Sequence, residues 1–269
     1  MMRVGLAGLG TAGQEVARRL VAGAVPGVRL TVVTARDLDK ARANAARLDP
    51  APLVVPLREL PAHAEVIAEC ATAEALPEIL RVCLGAGRTM LVVSAAGLLD
   101  MPDAEDLARR AGGRLRIANG ALPGLDALRC AREGAIRSVR LTSRLRPDSL
   151  AYEDHVLGLG LDFVGRPPAA PVRVFQGSAR QAAAAFPRHF NVAVALSIAG
   201  IGFDRTEVEV FADPEVAGAV HQVDVDAEDI GLTMISRNRP SANPRTSRIV
   251  APSIVAALRA MVAPLVAGG

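Results

Sequence analysis

Apolar positions follow two different rhythms along this chain of 269 residues. Up to residue 118, short continuous apolar runs alternate with stretches whose apolar residues recur every three or four positions. The runs Arg3–Ala7, Val28–Val33, Val54–Leu57, Glu65–Ala71, Thr89–Ser94 and Leu115–Ala118 have strand length and are bounded by turn or helix signals. Between them, Gln14–Leu20, Asp39–Leu48, Ala73–Leu84 and a stretch from Asp100 to Ala111 predict helices. Apolar runs without alternation belong to strands covered on both faces. Strands separated by helices pair in parallel through right-handed crossovers.

The rhythm changes at Asn119–Asp126, a turn punctuated by Gly and Pro that opens a helix to Glu133. Ser138–Leu145 and Val172–Phe175 predict strands, and Ser178–Ala185 a helix. Phe186–Ile198 is expected to become helical from Pro187 onward. Glu207–Phe211 and His221–Val225 alternate near period two, which predicts antiparallel strands with one wet face, and Ile230–Ser236 predicts another. Ser253–Val266 reads as a last helix, with Ile254, Leu258, Met261 and Leu265 on one side, expected to pack back on the first half. Between Pro147 and Pro171 the pattern is least regular; Asp154, His155, Asp162 and Arg166 lie there, and the segment is expected to be a lid or binding loop.

Chemistry enters at the first strand-to-helix turn, Gly8-Leu9-Gly10-Thr11-Ala12-Gly13. In such a GxGxxG turn the first glycine permits the tight bend and the second admits a pyrophosphate to bare backbone. The third lets the helix pack closely, and the helix N-terminus holds the phosphates. Gly8, Gly10, Thr11, Ala12 and Gly13 are therefore candidate contacts to a dinucleotide, NAD or NADP. The next strand ends in Thr34-Ala35-Arg36-Asp37, where an acidic residue usually holds a ribose 2′-hydroxyl. Arg36 either meets a 2′-phosphate or merely starts a solvated helix. The fold class that follows is α/β, a Rossmann-type doubly wound parallel sheet joined to a second α+β domain with a mixed or antiparallel sheet. The expected domains are 1–118 plus 248–269 for the nucleotide, and 119–247 for catalysis and oligomerisation.

Composition narrows the function classes. A net charge of +3, dispersed among acids, argues against nucleic acid. No uncharged apolar run reaches the roughly 18 to 20 residues of a membrane helix. The first residues form a needed strand rather than a signal peptide, so a soluble, cytoplasmic protein is expected. Cys70, Cys83 and Cys130 have no metal-ligand spacing and are expected to be reduced and mostly buried.

The second half resembles the aspartate dehydrogenase family. The residues that carry this are Gly120–Leu128, Gly177–Ala182, Phe186-Pro187 with Asn191-Val192-Ala193, Ser197–Thr206, Ala212-Asp213-Pro214, His221 and Asn243–Ser247. Glu69-Cys70-Ala71 and Val92-Val93-Ser94 resemble it in the first half. The resemblance implies an NAD(P)-dependent enzyme interconverting L-aspartate with oxaloacetate and ammonia through iminosuccinate, and the apolar alternating strands of the second half are the expected face of a homodimer. It implies that His221 is the active-site histidine, that Ala121 and Asn191 contact the nicotinamide side, and that Ala71 contacts cofactor. Apart from the resemblance, His221 reads as a satisfied core or edge-strand imidazole, and Asn191 as a helix cap. Arg188, His189 and Phe190 before Asn191, and the Arg144–Asp148 segment, depart from the family pattern. Arg144, Arg146, Arg166 and Arg245 are candidate forks for a dicarboxylate by charge type alone. Alternatives are a related dehydrogenase or reductase acting on another amino acid or imine, of the dihydrodipicolinate reductase or homoserine dehydrogenase type, and a non-catalytic nucleotide-binding protein.

Overall fold

A computed structural model of the chain describes residues 1–186, 190–239 and 247–267. It divides into two compact units, Met1–Gly120 with Val250–Gly269, and Ala121–Ile249.

The first unit alternates strand and helix: β1 (Met2–Ala7), α1 (Thr11–Val21), β2 (Val28–Thr34), α2 (Leu38–Ala45), β3 (Leu53–Val54), α3 (Leu60–His63), β4 (Val66–Glu69), α4 (Leu76–Gly85), β5 (Thr89–Val92), α5 (Ala104–Ala111) and β6 (Arg114–Ile117). All six strands pair in parallel, in the order β3-β2-β1-β4-β5-β6. Strand order reverses between β1 and β4, the switch point beside which open α/β sheets bind ligands. Val4, Leu6, Val33, Ala68 and Leu91 are fully or almost fully buried, as continuous apolar strands require.

The C-terminal helix spans Val250–Ala260 and packs on α1, so that Ile254 and Leu258 join Val16, Ala17 and Leu20 in one apolar core. Its start three residues ahead of Ser253 is possible because Pro252 falls in the first turn, where a missing N–H costs nothing. It ends before Pro264, and Leu265, expected on its apolar face, is exposed.

The second unit comprises α6 (Leu125–Ala131), β7 (Ile136–Leu145), α7 (Pro147–Leu150), α8 (Asp154–Gly158), β8 (Val172–Ser178), α9 (Ala179–Ala185), α10 (Asn191–Ala199), β9 (Thr206–Ala212), β10 (Val220–Ala227) and β11 (Gly231–Arg237). The sheet runs β11-β10-β7-β9-β8 and is mixed, because β7 and β9 are parallel while the other pairs are antiparallel. One face carries the buried positions Val139, Leu141, Val208, Val210, Val223 and Val225. The other is wet and crossed by ion pairs such as Arg140–Glu207 and Arg137–Asp226. The helix expected from Pro187 begins at Asn191, with Phe190 in the cap position; Pro187, Arg188 and His189 lie outside the described residues.

The 147–171 segment is partly anchored. Leu150, Val156 and Phe163 are buried, and the His155 ring, 3.0 Å from the Val174 carbonyl through Nε2, stands edge-on to Phe175 and Phe186. No described helix is long and apolar enough to cross a membrane.

Candidate active site

Each glycine of the first turn has its own geometric reason. Gly8 takes a φ of +107°, and a Cβ there would stand 2.5 Å from the Cys70 carbonyl oxygen. A Cβ on Gly13 would stand 2.2 Å from the Gly8 carbonyl oxygen. Around Gly10 an added Cβ meets nothing within 4 Å, so this stretch of backbone faces open space. Thr11 and Ala12 open α1, which has no side-chain cap and no acid in its first turn. The turn thus presents backbone and a positive helix end to an anion, with no side chain in the way.

At the end of β2, Asp37 is occupied: its carboxylate accepts the Lys40 N–H at 2.9 Å as the cap of α2. Arg36, just outside that helix, is exposed and has no ion-pair partner among the described residues. Beside it, Thr34 Oγ1 is buried without a hydrogen-bond partner. An open glycine turn, an unpaired guanidinium and an orphaned hydroxyl at the strand ends fit a phosphorylated dinucleotide.

The third feature of this end is Glu69, completely buried at the end of β4. Its carboxylate accepts N–H groups from Ala71 at 2.6 Å, Ser94 at 2.8 Å and Val93 at 3.1 Å. The Ser94 hydroxyl donates to the Ala71 carbonyl at 3.1 Å, so the loops after β4 and β5 are tied together. Burial pushes the Glu69 carboxyl above its ordinary range, against the pull of these N–H groups. Ala71, a candidate cofactor contact, is held by this clamp. Burial also pushes up the thiols of Cys70 and Cys83, the latter to about 12, whereas Cys130 is exposed rather than buried.

In the second unit, His221 lies on the buried face near the start of β10, only 4% exposed. Register sets Ser143 of β7 opposite it on one side and Ser236 of β11 on the other. Ser143 Oγ is 2.9 Å from His221 Nδ1, and Ser143 is fully buried. The Ser236 hydroxyl donates to the Ala121 carbonyl at 3.1 Å, and Asn238 Nδ2 donates to the same oxygen at 3.2 Å. Ser247 in turn donates to Asn238 Oδ1 at 2.8 Å. Ala121 is therefore tied to the strand next to His221. Asn191 occupies the first helical position of α10 rather than its cap.

Burial alone lowers the His221 pKa from 6.5 to about 4. An unperturbed imidazole titrates near neutrality; buried on the sheet face with no carboxylate partner among the described residues, that of His221 instead rests neutral.

The candidate arginines among the described residues do not converge here. Arg144 points to the face opposite Ser143, pairs with the buried Asp213 at 3.0 Å, and lies 5.1 Å over the Phe211 ring. Arg146 pairs with Asp148 at 2.5 Å, Arg166 is exposed, and Arg245 lies outside the described residues. Sequence reasoning did not single out Ser143, Ser236 or Asn238, nor the clamp made by Glu69. The available signal was a serine at an inward position of the Val139-Leu141-Ser143-Leu145 alternation.

Comparison with known proteins agrees with this architecture. Residues 126–261 match the family described as aspartate dehydrogenase, C-terminal, and residues 8–117 match the homoserine dehydrogenase NAD binding domain. L-aspartate dehydrogenase 3 of Bordetella bronchiseptica is 42% identical over 265 residues, covering 98% of this chain and 97% of that protein. The L-aspartate dehydrogenase of Bradyrhizobium diazoefficiens is 40% identical over 267 residues, covering 99% and 94%. The crystal structure of aspartate dehydrogenase from Thermotoga maritima superposes with a TM-score of 0.75, covering 100% of both chains at 21% identity, a likeness of fold. With relatives matched along almost their whole length on a Rossmann unit followed by a mixed-sheet unit, the chain belongs to the aspartate dehydrogenase family, nicotinamide-dependent dehydrogenases of amino acids.

Proposed function

We propose that the protein interconverts L-aspartate with oxaloacetate and ammonia, through iminosuccinate. The observation that carries this reading is the buried face on which His221, partnered by Ser143, lies one strand from the Ser236 and Asn238 donors that hold Ala121. When bound, NAD(P) supplies the hydride acceptor for the substrate Cα–H. Everything else falls to the chain's own groups. The open Gly10 backbone and the α1 N-terminus bind the pyrophosphate, and Arg36 meets the ribose end. Glu69 fixes the loops that carry Ala71 and Ser94. Ala121 and Asn191 orient the nicotinamide, and His221 faces the imine carbon, where water must add and ammonia must leave.

A ring nitrogen positioned at that carbon can donate a hydrogen bond to the oxygen of the incoming water while the proton passes from that water to the departing amine. One preorganised donor of this kind is typically worth about 10² to 10³ in rate. The names of the Bordetella and Bradyrhizobium relatives support aspartate as the amino acid. Oxidation of NADH or NADPH, followed at 340 nm with oxaloacetate plus ammonium and then with other 2-oxo acids plus ammonium, tests it. Turnover with oxaloacetate should exceed the others. Turnover with a monocarboxylic 2-oxo acid and none with oxaloacetate would overturn the substrate, and no turnover with any would overturn the enzyme reading.

A further inference from the structure

We infer that Ser143 is a positioning residue: its hydroxyl donates to Nδ1 of His221 and fixes the imidazole as the Nε2–H tautomer, so that the ring meets the substrate as a hydrogen-bond donor. The inference rests on the reading that His221 faces substrate, and deepens it.

The two side chains belong to residues directly paired across β7 and β10, in a register held by continuous pairs from Val220–Arg144 to Asp226–Ser138. Strand pairing therefore sets the 2.9 Å contact, and neither side chain has a long flexible stem to leave it. Both groups are buried, so one of them must donate to the other. The Ser143 hydroxyl has no other acceptor among the described residues, and His221 has no other hydrogen-bond partner there. If Nδ1 carried the proton, the serine would accept it and its own hydroxyl proton would be stranded in the core. A stranded buried donor disfavours that arrangement by roughly tenfold or more. With the serine donating, the fully buried hydroxyl is satisfied and the remaining proton sits on Nε2, which is not among the buried polar atoms left without a partner and is the nitrogen left for substrate. Among the described residues no carboxylate takes the place that an acid often holds behind a catalytic histidine. A serine there orients the ring without adding charge, so the imidazole stays neutral in the resting enzyme.

Nε2–H can then donate to the oxygen that joins the imine carbon when water adds. In the reverse direction it donates to the carbonyl oxygen that must leave as water. Neither contact requires a net change of charge on the ring.

Imidazole nitrogen-15 spectra of the resting enzyme at neutral pH read the tautomer directly, with His221→Gln identifying the signal among the four histidines. The expected spectrum shows Nε2 protonated and Nδ1 bare. Ser143→Ala should give a mixed tautomer population and lose about tenfold in kcat, with KM for NAD(P)H unchanged. Ser143→Thr, which keeps the hydroxyl, should retain the wild-type tautomer and most of kcat. A protonated Nδ1 in the wild-type enzyme, or a Ser143→Ala enzyme with the wild-type tautomer and turnover, overturns the role of Ser143. The wild-type spectrum decides even where Ser143→Ala does not fold. Wild-type turnover in His221→Gln overturns the underlying reading of His221 instead, whatever the tautomer.

Discussion

The neutral state of His221 makes folding stability depend on pH in a way that one substitution should remove. In the unfolded chain the imidazole titrates near 6.5, and in the folded protein burial lowers this to about 4. Between those values the unfolded chain binds a proton that the folded protein refuses, so stability falls as pH falls. The contribution is complete above the unfolded pKa and is gone once pH has dropped through the folded one. A shift of this size is worth about 3 kcal/mol in full, at about 1.4 kcal/mol per unit. About 2 kcal/mol of it should be lost between about pH 7 and about pH 5. His221→Gln keeps a polar group opposite Ser143 but cannot titrate. Urea unfolding of both proteins at the two pH values and constant ionic strength gives the comparison, since carboxylates common to both cancel. The wild-type protein should lose about 2 kcal/mol more than the variant. Equal losses, within about 0.5 kcal/mol, would mean that His221 is solvated or already charged, and would refute the argument from burial.

Three further outcomes follow from the nucleotide unit. Gly10→Val fills the open space over the turn, so NAD(P)H binding measured by nucleotide fluorescence should weaken by about tenfold or more, with melting temperature little changed. Arg36→Ala should lower kcat/KM for NADPH by about tenfold or more while leaving NADH nearly unaffected, because a guanidinium–phosphate pair is worth roughly 1.5 to 3 kcal/mol; an unchanged ratio of the two cofactors removes Arg36 from the site. Glu69→Ala strands the N–H groups of Ala71, Val93 and Ser94, and thermal or urea unfolding should show a loss of about 3 kcal/mol, with a raised KM for NAD(P)H in what remains folded.

What was readable in the chain was whatever depends on spacing alone. The GxGxxG turn works through backbone, so its glycines announce themselves, and continuous apolar runs such as Thr89–Val92 announce a strand covered on both faces. Pairing is another matter. Period-two alternation marks Thr206–Ala212 as half-wet strand, yet nothing in it says that this strand runs parallel to β7. His221 was found through a family resemblance, but its partner Ser143, 78 residues away, becomes visible only when register sets the two strands side by side. The same register places Ser236 beside His221 and thereby brings Ala121 to the site. The pKa of His221 was illegible for a similar reason, since burial is a property of the assembled sheet and not of one strand. Helix ends were misplaced where proline had a local effect, at Pro252 and Pro264.

Arg144 shows how charge type misleads when facing is ignored. As a cation at the start of the departing Arg144–Asp148 segment, it looked suited to a dicarboxylate. Alternation along β7 sends Ser143 to the face of His221 and Arg144 to the other. There its guanidinium neutralises Asp213, which is 3% exposed, and caps the Phe211 ring. Arg144→Leu would leave a buried carboxylate with its backbone contact to Glu215 but without its countercharge. Breaking a fully buried pair costs about 3 to 5 kcal/mol; because the arginine is itself 41% exposed, a loss of about 1 to 3 kcal/mol is expected. Adding Asp213→Asn removes the stranded charge and should recover a good part of that loss, whereas KM for the dicarboxylate should stay within about twofold throughout. Urea unfolding and steady-state kinetics on the two single variants and the double variant separate the alternatives. A tenfold rise in KM for oxaloacetate with stability intact would put Arg144 in the substrate site after all, and would mean that strand facing is a poor guide here.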